Sequence, residues 1–175
     1  MTRMGLLGAI WGLLGVTALL GSAVARLAPK AIEALAMPLS TAQRIALAAW
    51  VLFMAFAEGY RGFQQGFSPR VAARARYLNE HPSGLRVALA PFFCMGYFGA
   101  PRRRRMVAIG LTSGVVLLVA LVRFLAQPWR GIVDAGVVVG LAWGLVTLLW
   151  YAVRAFVGRG ISVDPEVAHI PPSGR

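Results

Sequence analysis

Apolar residues in this chain come in long blocks, without the alternation that marks half-buried strands or soluble helices. Residues 4–25 form the first block and carry no charged side chain. As a helix rising 1.5 Å per residue, this block reaches about 33 Å, enough to cross a hydrocarbon core. A second block, 45–57, is shorter. Extended through Glu58, Gly59, Tyr60 and Arg61, with Arg44 snorkelling at its start, it predicts a span over 43–61. Two further blocks predict spans over 106–125 and 132–157. The expected fold class is all-α: an integral membrane helical bundle of about four transmembrane helices, with short interfacial or re-entrant helices between them. Residues 1–157 form the helical domain and 158–175 a polar, extended tail.

The intervening pieces have their own patterns. Pro29 and Pro38 bracket a short stretch, 30–37, that reads as a helix lying in the interface. Ser68 and Pro69 have the form of a helix start, serine as N-cap and proline at the first turn. The helix they open, 70–78, is basic on one side, with Val71, Ala75 and Leu78 on the other, and reads as an amphipathic surface helix. Residues 87–100 are apolar but interrupted by Pro91, Gly96 and Gly99, too short for a full span and suited to a re-entrant or interfacial segment. Ala23, Val24 and Ala25 after the first block resemble a signal-peptide cleavage site, yet the block exceeds the usual h-region of about 7–15 residues and is expected to be the first membrane helix.

Composition agrees with this pattern. Of 175 residues, 58% are hydrophobic and 14% charged, well below the roughly 25% charged of a soluble domain. The net charge is +12, carried by seventeen arginines and Lys30. This arginine-for-lysine usage, with abundant alanine and glycine, suggests a GC-rich bacterial source. Because the arginines flank apolar blocks, they point to topology and to anionic lipid headgroups; no fold signature for nucleic acid is present. With four spans and the N-terminus inside, 13 basic residues lie inside and 5 outside. If 87–100 also crossed, the split would be 10 against 8. The positive-inside rule favours four spans, with both termini on the cytoplasmic side of a bacterial inner membrane.

Glycines recur at helical spacing: Gly5, Gly8, Gly12 and Gly15 in the first span, Gly110 and Gly114 in the third, Gly136, Gly140 and Gly144 in the fourth. Helices in lipid have no water to expel and associate through close packing at small residues. These nine glycines are candidate packing faces, either within the bundle or against another membrane subunit. Arg70, Arg74, Arg102, Arg103, Arg104 and Arg105 are candidate contacts to lipid or a partner. Glu58 and Arg61 form a candidate polar site, since charge within a span is costly and often functional; an ion pair or interfacial anchor competes with a proton or ion site. Asp134 is placed near a helix start, with Arg130 four residues before it.

No catalytic, metal or cofactor constellation is visible. His81 falls in a loop and His169 in the tail, so no span offers the usual axial ligand for haem. Cys94 is alone, which excludes an intrachain disulfide, and is expected to be a packing residue. Motifs for zinc proteases, serine hydrolases and nucleotide-binding loops are missing. The expected function is a non-catalytic accessory subunit of a larger inner-membrane complex, respiratory, photosynthetic or transport, without cofactor of its own. The alternative is a small homo-oligomeric transporter or channel, with Glu58, Arg61, Gln64 and Gln65 along a polar path. A lipid-modifying enzyme is the third reading.

Overall fold

The computed structural model describes residues 3–157 and 163–167, and among these every regular element is helical. The elements are α1 (Arg3–Leu35), α2 (Thr41–Met54), a π-helical segment (Ala55–Phe67), α3 (Ser68–Glu80), α4 (Gly84–Ala88), α5 (Ala90–Met95), α6 (Arg102–Val122) and α7 (Trp129–Phe156). Four helices are long and apolar enough to cross a membrane: α1, the continuous rod Thr41–Glu80, α6 and α7.

Several elements are longer than the apolar blocks suggest. α1 continues through Pro29 to Leu35, absorbing the expected interfacial helix. The second rod does not stop near Arg61. α2 passes directly into the π-helical segment and then into α3, so the expected surface helix is the last third of one rod of 40 residues. Ser68 therefore caps nothing; its backbone is already helical, and its hydroxyl lies 3.0 Å from that of Thr147 on α7. α3 is basic in sequence yet buried, with Val71, Ala72, Ala73, Ala75 and Leu78 packed in the core. The true helix start is at Ser40, whose side chain accepts from the Gln43 backbone while Gln43 reaches back to the Ser40 N–H. This reciprocal capping box satisfies two otherwise orphaned donors.

α1, the long rod and α7 form the packed body. α7 lies antiparallel to α1: Gly131, at its start, meets the Lys30 carbonyl and Ala34 near the end of α1. The rod runs alongside α7 in the same direction, Trp50 by Gly136, Glu58 by Gly140, Phe63 by Gly144. Its far end, Asn79, returns to Gly5.

The segment 84–100 packs on α1. Ala90 and Cys94 face Gly12, and Pro91 faces Gly15. Arg74 of α3 donates to the Phe98 carbonyl on its return. Both ends of this segment thus lie beside α3, and it turns back on itself. α6 stands apart. Every residue from Arg102 to Leu121 is exposed except Ala108, which is half-buried. Its ties to the rest are few, among them Tyr97 to the Thr112 hydroxyl and Arg104 to Glu166.

Candidate functional site

The rod and α7 meet along a seam whose geometry is set by the π-helix. In a π-helix the backbone bonds i to i+5, so residues four or five apart stack on one face. Met54, Glu58 with Gly59, Phe63 and Ser68 follow that spacing and all face α7. α7 answers with glycines four apart. A Cβ on Gly136 would lie 2.5 Å from the Trp50 indole, one on Gly140 2.7 Å from Glu58 Oε2, and one on Gly144 2.6 Å from the Phe63 ring. Each glycine makes room for one large or polar group of the rod.

Polar pairs run along the same seam. The Trp50 indole N–H donates to the Val133 carbonyl at 3.0 Å. Trp143 donates to Gln64 Oε1 at 2.8 Å, and its ring covers Gly59. Ser68 and Thr147 close the row. Glu58 breaks the pattern. Its Oε2 is sealed from solvent and finds no hydrogen-bond partner among the described residues. Arg61, its expected partner, is exposed and makes no ion pair with it. The physical reason is the π register: three residues apart are neighbours on an α-helix but not where i+4 and i+5 share a face. Arg130 and Asp134, by contrast, approach to 3.8 Å across one α-helical turn.

A second cluster surrounds Arg74. Expected at a lipid or partner surface, it is instead 3% exposed. Its guanidinium donates to the carbonyls of Phe93 (2.7 Å), Phe98 (2.8 Å), Pro165 (3.1 Å) and Glu166 (3.2 Å), and lies 4.3 Å from the centre of the Phe93 ring. The planar fork of arginine suits several acceptors at once. Arg74 thereby joins α3 to the 84–100 turn and to the 163–167 segment. Arg104 adds a 2.9 Å bond to Glu166 Oε1. The expected extended tail is thus folded against the body at 163–167; Arg159, His169 and Arg175 lie outside the described residues. Arg70 is half-buried, its guanidinium beside Gly66, while Arg102, Arg103, Arg104 and Arg105 are exposed.

Of the nine candidate packing glycines, seven face other parts of this chain. Gly5 meets Asn79, Gly8 meets Val87 and Leu78, Gly12 meets Cys94, Gly15 meets Pro91, and the three of α7 meet the rod. A Cβ on Gly110 or Gly114 would meet nothing within 4 Å. Cys94 is buried, and no group of three or more His, Cys, Asp or Glu among the described residues could hold a metal ion.

Sequence reasoning missed Gln64, Ser68, Trp143 and Thr147 as a polar row. Gln64 carried a signal, since an amide close to an apolar span needs a partner. The pairing with Trp143 depends on the π register, which no periodicity in the sequence announces. No protein-family model, curated protein or solved structure matches this chain.

Proposed function

We propose that this chain is a multi-pass protein of a bacterial inner membrane and serves as a non-catalytic accessory subunit of a larger membrane complex. One observation carries the reading: α6, an apolar helix of 21 residues, has almost none of its surface covered by the other described residues. Between it and the body is an open, apolar gap of about 340 Å³ lined by Trp50, Leu118, Leu121, Val122, Leu125 and Val133. A helix whose Gly110 and Gly114 meet no other described residue is suited to dock against a helix of another membrane subunit. The seven other glycines are occupied internally, which narrows the docking face to α6.

The arginines fit this placement. Arg70, Arg74 and Arg104 sit at the end of the bundle where Asn79 meets Gly5, together with the exposed Arg102, Arg103 and Arg105. Lys30 and Arg130 lie at the opposite end. The richer end is the cytoplasmic one on the positive-inside rule, where the exposed arginines contact anionic lipid or the partner.

Purification from the native membrane in a gentle detergent, with mass spectrometry of co-migrating chains, tests the reading. Larger membrane subunits in fixed stoichiometry are expected. A symmetric homo-oligomer of this chain alone would overturn it and favour the transporter or channel reading. Of the residues in that alternative, Gln64 accepts a hydrogen bond from Trp143 in this fold.

A further inference from the structure

Glu58 is the one acidic side chain in the middle of the Thr41–Glu80 rod, and it forms no ion pair among the described residues. Oε2 is sealed against α7 in the niche left by the missing side chain of Gly140 and has no hydrogen-bond donor among the described residues. Glu58 as a whole residue is half-buried, so the niche does not enclose the side chain on every side. The surrounding charges are all turned elsewhere. On its own rod, Arg61 is exposed without an ion pair, Arg70 lies against Gly66, and Arg74 is committed to four carbonyls. On α2 the only charged residue is Arg44, fourteen positions away at the start of the helix, where it donates to the Leu39 carbonyl. On α7 the stretch 136–144 contains no titratable side chain, and Asp134 lies 3.8 Å from Arg130, four residues before it.

An ionised carboxylate with a sealed, unbonded oxygen would lose its hydration and gain no partner; the neutral acid avoids that cost. We propose that Glu58 is an exchangeable proton-binding site, a carboxyl that holds its proton in the folded, membrane-inserted protein and exchanges it with the medium. A π-helical stretch is a frequent companion of functional sites, and here it is what turns Glu58 toward α7 and away from Arg61. The inference goes beyond the accessory-subunit reading and rests only on its membrane-insertion part.

Two measurements on the full chain in lipid nanodiscs test it. The first is labelling with dicyclohexylcarbodiimide, an apolar reagent that reacts with protonated carboxyls. The acid O–H adds across one C=N bond, oxygen bonding to carbon and the proton passing to nitrogen. The acyl group then migrates to nitrogen as a stable N-acylurea, and the peptide gains the mass of one whole carbodiimide. Label is expected on the peptide containing Glu58, declining as pH rises, and is expected to be lost in Glu58→Gln. The second is infrared spectroscopy. Wild type is expected to show the carbonyl stretch of a protonated carboxylic acid, absent from Glu58→Gln and shifted in D2O.

If that band is missing in wild type, Glu58 is ionised and the proposal fails, whatever the labelling shows. A band that does not shift in D2O would overturn the exchange. Labelling of Glu58 that ignores pH would also count against it. Membrane insertion is scored separately by resistance to alkaline carbonate extraction, so an inserted protein without the band refutes the Glu58 assignment alone.

Discussion

Gly140 and Glu58 occupy one volume between them: the niche at 140 holds the carboxyl, and a methyl group there would stand 2.7 Å from Oε2 and 3.1 Å from the Glu58 Cβ. Gly140→Ala therefore forces the carboxyl to move. Because the nearest atom is the end of a flexible side chain, we expect a stability loss of about 1 kcal/mol, at the low end of overpacking costs. Gly140→Ala in the Glu58→Ala background should recover most of that loss. Thermal unfolding of the three variants in detergent, read as a double-mutant cycle, checks the coupling.

Gly131 has no such relief. A Cβ there would lie 2.4 Å from the Lys30 carbonyl oxygen and 2.3 Å from the Ala34 Cβ, both fixed on α1. Gly131→Ala should separate the ends of α1 and α7 and cost about 2–3 kcal/mol. Gly110→Ala, where a Cβ meets open space, serves as the control and should unfold like wild type or slightly above it, since alanine favours helix. Equal unfolding temperatures for both variants would refute the packing described for α1 and α7.

Arg74 and Arg104 both hold the 163–167 segment, with different strength. Arg74→Met removes a buried fork and leaves the Phe93, Phe98, Pro165 and Glu166 carbonyls without that donor; a loss of about 3 kcal/mol is expected. The Arg104–Glu166 pair is partly exposed, so Arg104→Ala should cost less than about 1 kcal/mol. Limited proteolysis of the C-terminal region should accelerate sharply in the first variant and little in the second.

Cys94 should be inert. Burial pushes its thiol up to about 12, with the nearby Arg74 charge opposing. The reactive species is the thiolate, so at pH 7 almost none is present in the folded chain. Maleimide should fail to label Cys94 until the protein is unfolded in sodium dodecyl sulfate. Rapid labelling of the folded chain would mean that the 84–100 turn opens readily from α1.

The face of α6 gives the test of association. Gly110→Leu and Gly114→Leu should leave the chain folded, because neither glycine meets another part of it. If α6 docks on a partner, both variants should lower the amount of co-purifying subunit by about tenfold or more, while Arg123→Gln, near the other end, should not. Undiminished co-purification would move the docking surface elsewhere.

Sequence alone determined the helical architecture and its four long apolar helices. A long apolar block leaves no backbone polar group unpaired in lipid when it is helical, and four helices long and apolar enough to cross a membrane are present. The glycine stripes are visible in the sequence as small residues at helical spacing. What each stripe approaches is not, since the same pattern serves Gly140 against Glu58 and Gly114 against open space. Only the tertiary structure decided that the basic stretch after Ser68 is buried. A sequence shows a charge but not the carbonyls of Phe93, Phe98, Pro165 and Glu166 that converge on Arg74 from distant parts of the chain. It also decided the surroundings of Glu58. Helical periodicity assumes i to i+4 bonding, and the switch to i+5 over Ala55–Phe67 rotates Glu58 out of reach of Arg61 and into the seam with α7.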